Sequence, residues 1–322
     1  MLVVTMIVRS SPVSRRLSLG LLAVMFVAAP GCSLKKMAVR SMADTLSESG
    51  TTFSRDEDPE LVRDAIPFAL KTYESLLETL PEHEGLLLAT CSGFTQYAFA
   101  FVQTDADLIA DVNYEESTRL NARALKLYLR GRGYCLRGLE RRQRGVEARL
   151  LIEPERALAW AKPEDVPLLY WTGASWGAAI SLGLDQPGLV ADVPAVKALL
   201  GRALALQEDY ERGALHAIMI SIEALPETMG GSEARARRHF ARAVELSEGE
   251  DPGPYVTLAT SVAQPAQNRD EFLSLLDDAL AIDPDAHPDG RLATLITQRR
   301  AAHLRSRVDD LFVPNLPEEE SR

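Results

Sequence analysis

Cysteine is scarce in this chain: Cys32, Cys91 and Cys135 are the only three in 322 residues. None forms a C-x-x-C pair or joins a histidine at metal-ligand spacing, so a disulfide scaffold is excluded and a zinc site has no support. H-E-x-x-H and G-x-S-x-G are both missing, and so is any Gly-rich phosphate loop. The five histidines, His83, His216, His239, His287 and His303, are scattered away from any Ser or Cys nucleophile arrangement. His216 and His239, on repeat helices, read as packing residues, and the abundant Asp and Glu read as solvated helix faces and caps. The sequence therefore predicts no enzyme and calls for no cofactor. Sustained alternation of apolar and polar residues is also lacking, as are Asn-Gly turns, so strands are not needed anywhere. Positive charge is in deficit, 35 Lys and Arg against 46 Asp and Glu, net −11. A field of that sign repels phosphate backbones and excludes nucleic acid as a partner.

What is present is globular in composition: 46% apolar, 25% charged, with 20 Gly and 18 Pro. The length allows one or two domains with a substantial core. At the N-terminus Arg9, Arg15 and Arg16 precede an apolar run from Leu17 to Ala29, the order of a secretory signal and too short to span a bilayer. The run ends Ala29-Pro30-Gly31-Cys32. A small residue directly before Cys resembles a lipobox, although Ala29 and Pro30 depart from the usual choices there. The expected division is a signal peptide over 1–31, an anchor and N-terminal helix over 32–57, a helical domain over 58–312 and a flexible tail over 313–322. Under that reading Cys32 is acylated and holds the protein on a membrane. Ser33 follows it, with no inner-membrane retention signal, so the outer membrane is favoured. Cys91 and Cys135 would face an oxidising compartment where a disulfide is permitted, and the sequence does not decide it; they sit among apolar residues on predicted helices, so two buried thiols are the favoured expectation.

The mature chain is all helix by pattern. Lys35 to Glu48 is a short helical stretch and Thr51 to Glu57 a polar break. Asp58-Pro59-Glu60 supplies an N-cap, a proline at N1 and a first-turn acid. Leu61, Ala65, Phe68, Ala69, Tyr73, Leu76, Leu77 and Leu80 then recur at three and four, and Pro81 stops the run. Gly85 to Val102 is nearly all apolar and predicts a buried helix. Further helices are expected over 114–141 and 164–184.

From Asp192 onward one pattern returns: Arg202-Ala203-Leu204-Ala205-Leu206, Arg242-Ala243-Val244-Glu245-Leu246 and Asp278-Ala279-Leu280-Ala281-Ile282. The spacings of 40 and 36 fall in the range of tetratricopeptide-like helix pairs, and Arg123-Ala124-Leu125 is a fainter earlier copy. Alanine at the repeated position lets a neighbouring helix approach, so the prediction is an α-solenoid with Ala203, Ala243 and Ala279 buried.

Aromatic and small residues are mixed in two segments, Thr90 to Phe99 and Pro167 to Ala179. Core packing explains them most simply. The sharper expectation is an apolar pocket lined by Phe94, Tyr97, Tyr170, Trp171 and Trp176, with Thr95, Gln96 and Ser175 orienting a ligand.

Asp58 to Ala65, Gly93-Phe94-Thr95-Gln96-Tyr97-Ala98, Leu168-Leu169-Tyr170-Trp171 through Ala179, Gly213-Ala214-Leu215-His216, Gly230-Gly231-Ser232, His239-Phe240, Pro254-Tyr255-Val256 and Ala281 to Asp285 together resemble the T-component of tripartite ATP-independent periplasmic (TRAP) transporters. Ser175 departs from the small apolar residue expected there. The resemblance implies a periplasmic, lipid-anchored, tetratricopeptide-like protein that forms homotrimers. It also implies docking to the substrate-binding P-component and handling of a small hydrophobic ligand. The alternative reading is a tetratricopeptide scaffold lipoprotein for outer-membrane or envelope assembly that binds peptide segments.

Overall fold

The computed structural model describes residues 31–48 and 51–313. Residues 1–30, which hold most of the signal peptide expected over 1–31, and residues 314–322 of the expected tail lie outside the described residues, and so does the side chain of Cys32. Two compact units divide the chain, Met1–Met42 and Ala43–Arg322. The first contributes the start of α1 (Gly31–Glu48); the second holds everything that follows.

Among the described residues there is no strand, and the fold is all-α. After α1 the polar break predicted at 51–57 contains one helical turn, α2 (Thr51–Ser54). α3 (Pro59–Thr79) opens as its sequence requires: Asp58 accepts from the Glu60 and Leu61 amides at 3.0 Å each, and Pro59 fills N1. Its inward row is Val62, Leu70 and Leu77, whereas Leu61 and Phe68, read as core positions, are 60% and 79% exposed. α4 (Glu84–Ile109) is apolar and long enough to cross a membrane by length and composition only, but most of it is buried against neighbouring helices. It runs past Val102 because residues Ala98–Gln103 widen into a π-turn instead of ending the helix.

α5 (Tyr114–Arg142) lies beside α4, capped by Asn113. The short α6 (Val146–Leu150) and α7 (Pro154–Ala157) lead to α8 (Val166–Leu182), which packs on α4 and α5. α9 (Pro187–Val190) is one turn, and α10 (Val193–Leu206) covers another side of α8. Close approach there depends on Gly173, where a Cβ would lie 2.7 Å from Leu200 side-chain carbons. α11 (Ala214–Glu223), α12 (Glu233–Leu246), α13 (Gly253–Leu258), α14 (Arg269–Ala281), α15 (Arg291–Ser306) and α16 (Val308–Leu311) complete the array. A second π-turn, Ala259–Ala263, extends α13.

The repeated alanines do what the repeat predicts. Ala203, Ala243 and Ala279 are at most 1% exposed and sit on the alternate helices α10, α12 and α14; Ala124 on α5 is likewise buried. At the α11–α12 junction the backbones nearly touch. A Cβ on Gly213 would lie 3.3 Å from the Ala243 Cα, and Gly213 also has φ +98, open to glycine and costly for other residues.

One expectation is overturned. Cys91 and Cys135 are joined in a disulfide, not present as thiols, with their Cα atoms 5.4 Å apart. Gly131, one turn before Cys135, makes this reach possible: a Cβ there would lie 3.1 Å from the Cys91 carbonyl oxygen. α5 therefore comes close enough to α4 for the bridge.

The array also closes on itself. α15 packs back against α2, α3 and the end of α4, and its Leu292 and Ile296 join a core cluster with Val62, Phe101 and Tyr128. Arginines meet aspartates along this seam: Arg300 with Asp107 at 3.5 Å, Arg299 with Asp105 at 4.0 Å, Arg307 with Asp111, and Arg55 with Asp289.

Candidate functional site

The five aromatic candidates occupy three surroundings. Phe94 stacks on Tyr134, rings 6.1 Å apart, beneath the Arg130 guanidinium; Tyr97 packs on Phe101 at 5.8 Å. Both belong to the core of α3, α4 and α5. Trp176 faces the opposite core, where its indole N–H donates to Asp192 at 3.1 Å and Arg132 lies 4.8 Å over its ring. Tyr170 and Trp171 do come together, edge to face at 5.0 Å, and Tyr210 joins them 5.3 Å from Tyr170. Burial first, then the nearby Asp251 and Glu211 carboxylates, push the Tyr170 hydroxyl far above its usual range. Burial, then Glu211 and Tyr170, likewise push the Tyr210 hydroxyl above its usual range, against a hydrogen bond with Trp171. Thr95 and Ser175, offered as ligand-orienting groups, instead bond back to their own helices at Cys91 O and Thr172 O.

This aromatic cluster borders strained backbone. Glu211 and Arg212 have φ of 46 and 54, left-handed values that cost non-glycine residues energy, and Gly213 follows with φ +98. Arg212 is held there by the Ser247 carbonyl at 2.7 Å and the Glu250 carboxylate at 2.5 Å.

A cleft of about 700 Å³ opens at the seam. One wall is Glu57, Asp58, Pro59 and Glu60 at the mouth of α3; the other is Leu295, Ile296 and Arg299 of α15. Its floor is the π-turn, through Ala100 and Phe101, with Thr104 beyond. The turn is pinned from both sides. The Thr104 hydroxyl donates to the Phe99 carbonyl five residues back at 2.9 Å, and the Tyr128 hydroxyl donates to Gln103 at 2.6 Å. A π-turn inserts one residue into a helix and reorients the side chains beside it, which is why such turns gather at functional sites. Burial raises the Asp107 carboxyl above its usual range despite Arg300 and His303 nearby.

Of the cleft residues, Asp58, Pro59 and Glu60 are marked in the sequence as a helix start and as part of the Asp58 to Ala65 block that carries the family resemblance. Phe101, Leu295, Ile296 and Arg299 were missed. Nothing in a periodic pattern marks residues that meet across some two hundred positions.

A second missed arrangement links α11 to α12. The imidazole nitrogens Nδ1 of His216 and His239 are 2.8 Å apart, and His216 Nε2 lies 3.2 Å from Glu208. One arrangement that satisfies both contacts has His216 donating to Glu208 and accepting from His239, and burial lowers the pKa of both rings.

Over residues 55–312 the chain matches the family described as TRAP transporter T-component. It is also 34% identical over 302 residues to an uncharacterized protein of Treponema pallidum (strain Nichols), covering 88% of this chain and 94% of that protein. The chain belongs to the TRAP transporter T-component family, which associates it with a transporter of that kind.

Proposed function

We propose that, as the T-component of a TRAP transporter, the chain is a non-catalytic periplasmic lipoprotein that docks the substrate-binding P-component. Cys32 carries the acyl anchor, in the outer membrane, and the mature protein assembles as a trimer. The family match across 55–312 is the observation that carries this reading. The net charge of −11 supports it, since an acidic protein favours a partner of complementary charge. A small apolar ligand is handled near Phe94, Tyr97, Tyr170, Trp171 and Trp176. Among these, the half-buried Tyr170 and Trp171 beside the strained Glu211–Arg212 turn offer the accessible ring surface.

The test is co-purification from membranes solubilised in mild detergent. Recovery of a periplasmic solute receptor with the tagged chain is expected, and its loss in a Cys32→Ser variant that still folds would locate the requirement at the anchor. Repeated recovery without any solute receptor overturns the docking.

A further inference from the structure

Within the unit Ala43–Arg322, one end displays an apolar pair that the core does not use. Leu151 and Ile152, on the turn between α6 and α7, are 57% and 82% exposed. The turn is fixed in place: the Ile152 and Glu153 amides both donate to the Arg149 carbonyl, at 3.1 and 2.8 Å, and the adjoining Leu150 is buried. Two neighbouring aliphatic side chains therefore stand in water on hydrogen-bonded backbone. Arginine is concentrated around them, six against four glutamates from Arg137 to Arg156, in a chain of net charge −11. Glu82 and Glu84 offset Arg141 and Arg142 at 3.0 Å each, and Glu153 pairs with Arg156 at 3.1 Å. Glu140 accepts from the Gly145 and Glu147 amides. Among the described residues no ion pair engages Arg137, Arg144 or Arg149, against Glu147 and Glu155 on the acidic side.

The route of the chain brings this end closest to the anchor. Asp44 on α1 meets His83 at 2.9 Å, and a Cβ on Gly85 would lie 2.8 Å from the Ser47 hydroxyl, so α1 joins the body at the N-terminal end of α4. Arg142, at the C-terminal end of α5, pairs with Glu84 there, and α6 follows directly. Cys32 precedes Ala43 by eleven residues, ~16 Å of helix and ~40 Å at full extension. The opposite end of α4, at Ile109, stands ~38 Å along its axis, beside a segment, 105–116, that holds five acids and no base. Val112 and Tyr114 are exposed at that far end, where an anionic surface would be repelled.

We infer that the end of the body formed by α6 and its flanking turns rests on the phospholipid surface. Leu151 and Ile152 enter the headgroup boundary, and Arg144 and Arg149 meet lipid phosphate. This assignment rests on the acylation of Cys32 and adds to it the face that the protein turns to the membrane.

Because Cys91 and Cys135 are bridged, a mature chain made without acylation carries one free thiol, Cys32. Coupled through that thiol to maleimide lipid, in vesicles of phosphatidylethanolamine and phosphatidylglycerol, the chain is tethered whether or not cells acylate it. Ile152→Trp and, at the far end, Tyr114→Trp each add one tryptophan, and lipids brominated on their acyl chains quench those that reach the bilayer. After subtraction of the tethered parent, quenching at 152 should exceed quenching at 114 by roughly threefold or more, and Arg144→Glu should weaken it. Leu151→Trp serves if the first variant does not fold. Equal quenching at the two ends, stronger quenching at 114, or none at either overturns the assignment. Mass spectrometry of the N-terminal peptide from cells reads the anchor separately. An unmodified Cys32 overturns the anchor and the assignment with it, whereas an acylated Cys32 without preferential quenching at 152 overturns the assignment alone.

Discussion

His216 and His239 show how burial sets the charge of a residue that sequence alone leaves open. Desolvation is the largest influence on both and lowers both pKa values. For His216 it outweighs Glu208, with Arg242 also opposing the charge; for His239 the neighbouring His216, Arg238 and Arg235 add to it against Glu223. A histidine whose folded pKa lies below its unfolded value of about 6.5 leaves stability intact above that pH and removes it as pH falls. A second proton would also set two cations 2.8 Å apart. The melting temperature should therefore hold near pH 7.5 and drop between pH 6.5 and 5, and a His239→Gln variant should show a shallower drop. Parallel acid profiles for the two proteins would contradict this. Glu211 makes an opposite case: its left-handed φ of 46 costs energy while its exposed side chain forms no ion pair among the described residues. Glu211→Gly should stabilise the protein by about 1 kcal/mol, or roughly 2–4 °C in Tm. Arg212→Gly relieves the same strain but loses the Ser247 and Glu250 contacts, and should gain nothing.

Among elements, α4 and α5 separate what a sequence displays from what only packing decides. Helix starts were legible because their signals are local: Asp58 before Pro59, Pro81 after the last turn, and the alanines repeated at Ala203, Ala243 and Ala279. The π-turn at Ala98–Gln103 was not, since one inserted residue leaves the apolar run unbroken and only shifts its phase. The disulfide was illegible for a related reason. Two apolar helices carrying Cys91 and Cys135 pack at many distances, and Gly131 selects the short one. Glycine in a helix interior costs about 1 kcal/mol relative to alanine, so its replacement ordinarily helps. At Gly133, with open space around the site, alanine should raise stability by up to about that amount. At Gly131 the new Cβ meets the Cys91 backbone, and the variant should lose stability despite better helix propensity. Paired denaturation curves measure the contrast, and equal effects at the two glycines would show that α4 yields to α5. Opening the bridge with Cys91→Ser and Cys135→Ser together should cost about 2–4 kcal/mol.

At the scale of the whole molecule, within the unit Ala43–Arg322, the contacts of α15 with α2, α3 and the end of α4 join segments that the repeat pattern does not connect. Buried repeat alanines were foreseeable; the return of α15 to α2, α3 and α4 was not. The arginines and aspartates of the seam stand far apart in the chain and read individually as solvated helix charges. Leu292 and Ile296 supply the apolar part of the contact, and Arg299, Arg300 and Arg307 against Asp105, Asp107 and Asp111 supply the polar part. Pairs as exposed as these contribute about 0–1 kcal/mol each and are screened by salt, so the seam should open well before the disulfide-linked core of α4, α5 and α8. Hydrogen exchange is expected to report faster α15 amides at 0.5 M salt, with α8 unchanged. Arg307→Asp and Asp111→Arg should each speed exchange in α15, and the two together should restore only part of the protection, because the swapped pair is re-formed while the Arg307 contact with Asp310 at 2.7 Å becomes a repulsion. If α15 and α8 exchange in step at every salt concentration, the array unfolds as one unit, and the cleft at the seam then has fixed walls.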